Sequence, residues 1–208
     1  MRTPPTVMPA LVTPFSKSGD LDLSAHRHNL ETLSAADVEG FLLGGSTGEG
    51  PYLEAGERRE LVAVARDTLG ERAYLLCGIS AESVRGAATQ ISEAAAGGAD
   101  AVLVMSPTSL ARGNHGTVVR YYTHVADGSP LPVLLYSVPA VTGYEIPVEH
   151  VAALATHPNI VGIKDSGGRP VRIQEAARTV EQPFIMYGGA SRTLAPSMAA
   201  GGYGAITA

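Results

Sequence analysis

The chain has 208 residues, of which 45% are apolar and 17% charged, with a net charge of −5 and a single cysteine, Cys77. No apolar run approaches the roughly 18 residues a membrane helix needs, and the opening Met1-Arg2-Thr3-Pro4-Pro5 has neither a signal core nor a transit-peptide face. One cysteine staples nothing, and an acidic chain without a basic block suits neither nucleic acid nor an anionic membrane, so a cytoplasmic α/β protein with a small-molecule site is expected.

In chain order, eight short apolar runs read as strands: 6–13, 40–45, 74–79, 101–105, 132–136, 160–164, 184–187 and 204–207. Each is rich in Val, Ile, Leu or Tyr and closes on Gly, Pro or Ser, and the runs are largely apolar on both faces, as a helix-covered parallel sheet requires. Helical period fills the gaps. Leu61, Val64, Ala65 and Thr68 share a face within 53–69, and Val84, Ala87, Ala88, Ile91 and Ala95 share one within 83–96. Val118, Tyr122 and Val125 mark a helix after Asn114, on which the Tyr121-Tyr122 pair reads as one core ring and one exposed ring. Pro147 and Pro170 fit first helical positions ahead of 148–155 and 171–180, and Gly70 and Gly97-Gly98 fit C-terminal stops.

Strand then helix, repeated to eight strands, predicts a (β/α)8 barrel in one domain over 1–208. No Gly-x-Gly-x-x-Gly turn follows the first strand, which weakens a dinucleotide-binding sheet. Such barrels typically run to ~250 residues. The expectation is therefore a barrel shortened after strand eight, without its last helix and with apolar surface exposed beside that strand.

Barrel active sites form at the C-terminal ends of the strands, and four stretches there carry useful chemistry. Gly44-Gly45-Ser46-Thr47-Gly48-Glu49-Gly50 can turn its N–H groups toward a carboxylate, with two hydroxyls alongside; it reads equally as an ordinary glycine-rich loop. Tyr136 ends strand five on the face of Leu134, where a phenol can relay a proton or simply complete the core. Ile160, Gly162 and Lys164 alternate onto one face of strand six. Pointing inward, Lys164 loses charge by desolvation and becomes an imine-forming nucleophile; pointing outward, it is a surface cation. Of 15 basic residues only Lys17 and Lys164 are lysines, and arginine cannot supply a neutral amine, which favours the inward reading. Gly188-Gly189 after strand seven permits close approach of a ligand to the backbone. The histidines show no metal-ligand spacing, Ser46 and Thr47 lack a nearby base, and Cys77 lies inside an apolar strand, so neither a metal, a cofactor, a hydrolase triad nor a cysteine nucleophile is expected.

These stretches resemble the dihydrodipicolinate synthase/N-acetylneuraminate lyase family of class I aldolases. The likeness runs in register through Pro9-Ala10-Leu11-Val12-Thr13-Pro14-Phe15, Gly45-Ser46-Thr47-Gly48-Glu49, Tyr136-Ser137-Val138-Pro139-Ala140-Val141-Thr142-Gly143 and Gly162-Ile163-Lys164-Asp165-Ser166-Gly167-Gly168. The resemblance implies a lyase in which Lys164 is the Schiff-base lysine for pyruvate, Tyr136 the proton relay, and Thr47 its hydrogen-bond partner. It further implies that Ser46 and Thr47 hold the pyruvyl carboxylate and that the carbonyls of Gly188 and Ile206 line the pocket. A homo-oligomer, tetramer or dimer, goes with the family. The Tyr-Ser-Val-Pro-Ala and Lys-Asp-Ser-Gly-Gly stretches look most like 4-hydroxy-2-oxoglutarate aldolases, in which Ser166 also faces substrate. Dihydrodipicolinate synthases usually have an arginine where Val141 stands, so that synthase activity is the alternative. Many members also have a Tyr-Tyr pair after Pro107, where this chain has Thr108, Ser109 and Leu110. That departure motivates a competing expectation, a non-catalytic barrel that binds 2-oxo acids.

Overall fold

The computed structural model describes residues 2–109 and 114–208. All eight expected strands form: β1 (Val7–Pro9), β2 (Gly40–Leu43), β3 (Tyr74–Ile79), β4 (Ala101–Met105), β5 (Val133–Ser137), β6 (Ile160–Asp165), β7 (Ile185–Gly188) and β8 (Gly204–Thr207). They pair in parallel in the order β1-β8-β7-β6-β5-β4-β3-β2. An isolated parallel bridge from Ala10 to Leu42 joins the two ends, so the sheet closes into the expected (β/α)8 barrel.

Strand alternation sorts the apolar residues into two clusters. Met8, Leu42, Leu76, Leu103, Leu134 and Ile206 fill the barrel interior, together with Tyr136 and Tyr187. Leu43, Leu75, Cys77, Val104, Leu135 and Ile163 point the other way and pack under the helices. Those helices are α1 (Leu23–Ser34), α2 (Glu57–Leu69), α3 (Val84–Gly97), α4 (His115–Gly128), the single turn α5 (Pro139–Thr142), α6 (Val148–Ala155), α7 (Pro170–Thr179) and α8 (Leu194–Ala199). Local chemistry sets their ends. Ser83 and Asn114 cap α3 and α4 by accepting from Gly86 N and Thr117 N, while Gly70 and Gly98, both at positive φ, end α2 and α3. Pro170 opens α7 at its first position. Pro147 instead sits one residue earlier, as the N-cap of α6, because its extended ψ of 146° leaves it outside the helix. No helix among the described residues is long and apolar enough to cross a membrane.

Two expectations are corrected here. The pairing of β5 with β6 slips between Val133 and Leu134, whose partners are Ile160 and Gly162. This bulge spends Val161 without a partner and breaks the alternation, so Ile160 packs under the helices and does not share the inward face of Lys164. The two tyrosines of α4 are both buried: Tyr121 donates its hydroxyl to Ala81 O at 3.0 Å, and Tyr122 to Val104 O at 3.0 Å. A ring on the flank of α4 is covered because the β3–α3 connection lies against it.

Candidate active site

The C-terminal ends of the strands surround a cleft of about 400 Å³, whose walls include Thr47, Tyr136, Val138, Lys164, Ser166 and Gly189. A larger hollow of about 660 Å³ opens at the other end of the barrel, between the N-terminal segment and α1–α2, away from every residue with strand-end chemistry. Chemistry therefore selects the smaller cleft.

Lys164 lies near the end of β6 and is 5% exposed. Its register partners are Tyr136 on β5 and Tyr187 on β7, and its Nζ sits 4.6 Å from the centre of the Tyr136 ring. Burial pushes the ammonium below the ordinary lysine range, and the Tyr136 phenol opposes this without cancelling it. The next residue faces outward and holds the turn. Asp165 accepts from Arg172 Nε at 3.0 Å and from Gly167 N at 2.8 Å, and Arg172 also pairs with Glu145. Ser166 N donates to Ser137 O at 2.8 Å, so β5 and β6 fix the base of the Lys-Asp-Ser turn together.

Tyr136 hydrogen-bonds a different loop hydroxyl from the one the resemblance implied. Tyr136 Oη lies 3.2 Å from Ser46 Oγ, and no hydrogen bond joins it to Thr47 among the described residues. Both loop hydroxyls are exposed at the barrel mouth, with Thr47 lining the cleft. The loop that carries them is held from below. Arg58, 1% exposed, donates to Gly50 O at 2.8 Å and to Gly78 O at 3.1 Å. Gly50 must be glycine, since a Cβ there would overlap the carbonyl of Gly44.

Gly189 and Thr207 stand in the cleft wall just past β7 and at the end of β8. Gly188 is buried in the β7 ladder opposite Ala205, and Gly189 forms the cleft wall. A Cβ at Gly189 would overlap Ser166 Oγ and come within 2.9 Å of Lys164 Cε. The Ile206 side chain is fully buried in the barrel interior, and Thr207 lines the cleft. Gly162 leaves no open layer beneath the lysine, because the backbone of Ile185 occupies the place a Cβ would take.

Thr108 and Ser109 do not replace the absent tyrosines. Their hydroxyls donate to Glu82 at 2.6 and 2.7 Å, and their amides donate to the same carboxylate. Leu110 lies outside the described residues. Cys77 is fully buried, and burial pushes its thiol up to about 12, in keeping with a core role.

Residues 3–208 match the model of the dihydrodipicolinate synthetase family. The chain belongs to this family. It is 36% identical over 201 residues to the 4-hydroxy-tetrahydrodipicolinate synthase of Xanthomonas campestris pv. campestris, covering 97% of this chain and 66% of that protein. Among solved structures it is similar to a dihydrodipicolinate synthase of Bacillus anthracis, with a TM-score of 0.93 and 28% identity over 99% of this chain and 70% of the other. A prophage protein of E. coli K12 from the dihydrodipicolinic acid synthase family, solved in complex with pyruvate, has a TM-score of 0.89 and 31% identity over 97% of this chain and 68% of that one. The chain thus spans about two thirds of the length of these family members.

The residue that sequence reasoning missed is Arg192, which stands on the same cleft wall as Gly189 in a 3-10 turn, Ser191–Thr193, after β7. Thirteen arginines hide one useful one, and the signal available was its place four residues past a strand end.

Proposed function

We propose that this barrel carries the active site of a Schiff-base-forming carbon–carbon lyase that takes pyruvate as donor and an aldehyde as acceptor. The reading rests on one observation: Lys164 is sealed at a strand end with its charge disfavoured, against the ring of a tyrosine whose hydroxyl leads to an exposed loop hydroxyl. The neutral amine attacks the ketone carbon of pyruvate, and the ketone oxygen leaves as water once two protons reach it. The resulting iminium acidifies the methyl group, whose proton leaves to give an enamine. The enamine carbon bonds to the aldehyde carbon, whose oxygen takes a proton. Hydrolysis then returns the lysine and frees the product. Tyr136 and Ser46 form the relay that moves these protons, and the Ser46–Thr47 loop holds the pyruvyl carboxylate. Ser166, half-buried on the cleft wall, orients the adduct.

The name of the relatives supports condensation, the alternative of the sequence analysis, over the cleavage of 4-hydroxy-2-oxoglutarate that its motifs favoured. The ring in that name is a seven-carbon dicarboxylate, and subtracting pyruvate leaves a four-carbon amino-aldehyde acid, aspartate 4-semialdehyde. One observation keeps the cleavage as second reading: Val141 is 55% exposed on α5 and brings no charge to an incoming carboxylate. The pyruvate-bound E. coli relative supports the donor in both readings.

The test is intact mass after incubation with pyruvate and borohydride. We expect one reduced pyruvyl adduct on the chain and none on Lys164→Arg. A folded protein without an adduct would exclude imine chemistry and leave a 2-oxo acid binder.

A further inference from the structure

The cleft around Lys164 is walled by residues that include two cations, Lys164 and Arg192, and no aspartate or glutamate. Lys164 is consumed by the imine, which leaves Arg192 as the charge available to a second anion. Arg192 is exposed, and among the described residues it makes no ion pair and no side-chain hydrogen bond. Other arginines near this end of the barrel are engaged: Arg58 holds backbone carbonyls, Arg172 holds Asp165 and Ile146 O, and Arg169 holds Glu145. An unpaired guanidinium beside a reactive lysine, in a space of about 400 Å³, suits the carboxylate of a small ligand.

We propose that Arg192 is the acceptor-side specificity residue, whose guanidinium holds the carboxylate of an anionic aldehyde beside the Lys164 imine. The inference rests on the lyase reading above and adds the residue that holds the acceptor's carboxylate. Arg192 follows β7, the strand next to Lys164's β6, whereas Ser46 and Thr47 follow β2, four strands from β6 around the closed barrel. A donor whose carboxylate lies against the β2 loop therefore leaves the β7 side for the acceptor. Guanidinium geometry matches a carboxylate fork to fork, which lysine does not reproduce. Because Arg192 is exposed, its pairing is screened by salt and modest in strength.

The test compares succinate semialdehyde with butanal, acceptors of equal chain length with and without the carboxylate, in the wild type, Arg192→Gln and Arg192→Lys. We expect Arg192→Gln to lower kcat/KM about three- to fivefold for the semialdehyde, chiefly through its KM, and to leave butanal unchanged. Arg192→Lys should recover part of that loss, and the wild-type preference should shrink as salt is raised. Equal losses on both aldehydes, or none on the semialdehyde, would overturn the inference. Calorimetry with glutarate and butyrate decides the point without turnover: glutarate should bind the wild type more tightly than butyrate, with the difference abolished in Arg192→Gln. Equal binding of the two acids by the wild type would also overturn it. The borohydride adduct with pyruvate reports the lyase reading separately, so loss of the adduct and loss of the glutarate preference identify different failures.

Discussion

On the lyase reading, Lys164 reacts because the fold makes its charge unfavourable. An ammonium at 5% exposure has lost most of its hydration, and the ring of Tyr136 restores only part of that loss. The folded value therefore lies below the unfolded one, and between the two the unfolded chain holds the extra proton. Stability rises with pH across that window, while below it the penalty is present in full. Lys164→Met should raise stability by about 1–2 kcal/mol at neutral pH, with the gain shrinking as pH rises through the window. Urea midpoints at a series of pH values measure this, and a gain independent of pH would show that folding does not lower the lysine's affinity for its proton. Gly189 is the second residue whose identity matters. Alanine there would press on Lys164 Cε and Ser166 Oγ, so Gly189→Ala should slow borohydride trapping of pyruvate at least tenfold, read by intact mass against time. A trapping rate equal to wild type would mean that the lysine does not need the space.

The loops between elements act by holding one another. Glu82, at the end of the β3–α3 connection, gathers both amides and both hydroxyls of Thr108 and Ser109 from the β4–α4 connection. Partial burial raises the carboxyl, but these four donors outweigh it and bring it down to about 2. With a folded value below the unfolded one, the clamp stabilises fully above the ordinary carboxylate range and is lost as pH falls toward 2. In Glu82→Ala, amide exchange at Thr108 and Ser109 should quicken at least tenfold by NMR. The urea midpoint should move little, because Glu82 is exposed. Unchanged exchange at those two amides would show that the loop keeps its shape without the clamp. Arg58 does for the Ser46–Thr47 loop what Glu82 does here, with the difference that it is buried and holds carbonyls.

Over the whole molecule the two ends of the barrel divide the work. The end toward the strand C-termini carries the lysine, the relay and the arginine, while the other end is closed by tyrosines. Tyr187 and Tyr203 donate their hydroxyls to Pro5 O and Pro4 O at 2.7 and 2.6 Å, and their rings meet edge to face at 5.5 Å. They fasten the segment before β1 across the floor of the barrel. Tyr187→Phe should cost about 1 kcal/mol in urea unfolding and leave the yield of pyruvate adduct unchanged. A lost adduct would mean that the floor reaches the reactive end through the barrel interior, where Tyr187 is the register partner of Lys164.

Eight strands, their parallel order and most helix ends were legible in the sequence, because alternation, periodicity and caps such as Ser83, Asn114, Gly70 and Gly98 act over a few residues. The proposed reactive pair was singled out in the sequence, Lys164 as a lone lysine in a strand and Tyr136 near a strand end, and the two are register partners in the structure. What depended on residues far apart in the chain was decided only by the tertiary structure. A bulge between β5 and β6 removes Ile160 from the lysine's face, and Gly189 and Thr207 come to line the cleft. Ser46 takes the tyrosine that Thr47 was expected to hold, and the β3–α3 connection buries Tyr121. Each of these turns on a shift of about one residue or on a neighbour from another element. A single strand or helix fixes which side chains alternate, but the register against its neighbours fixes which of them face the ligand.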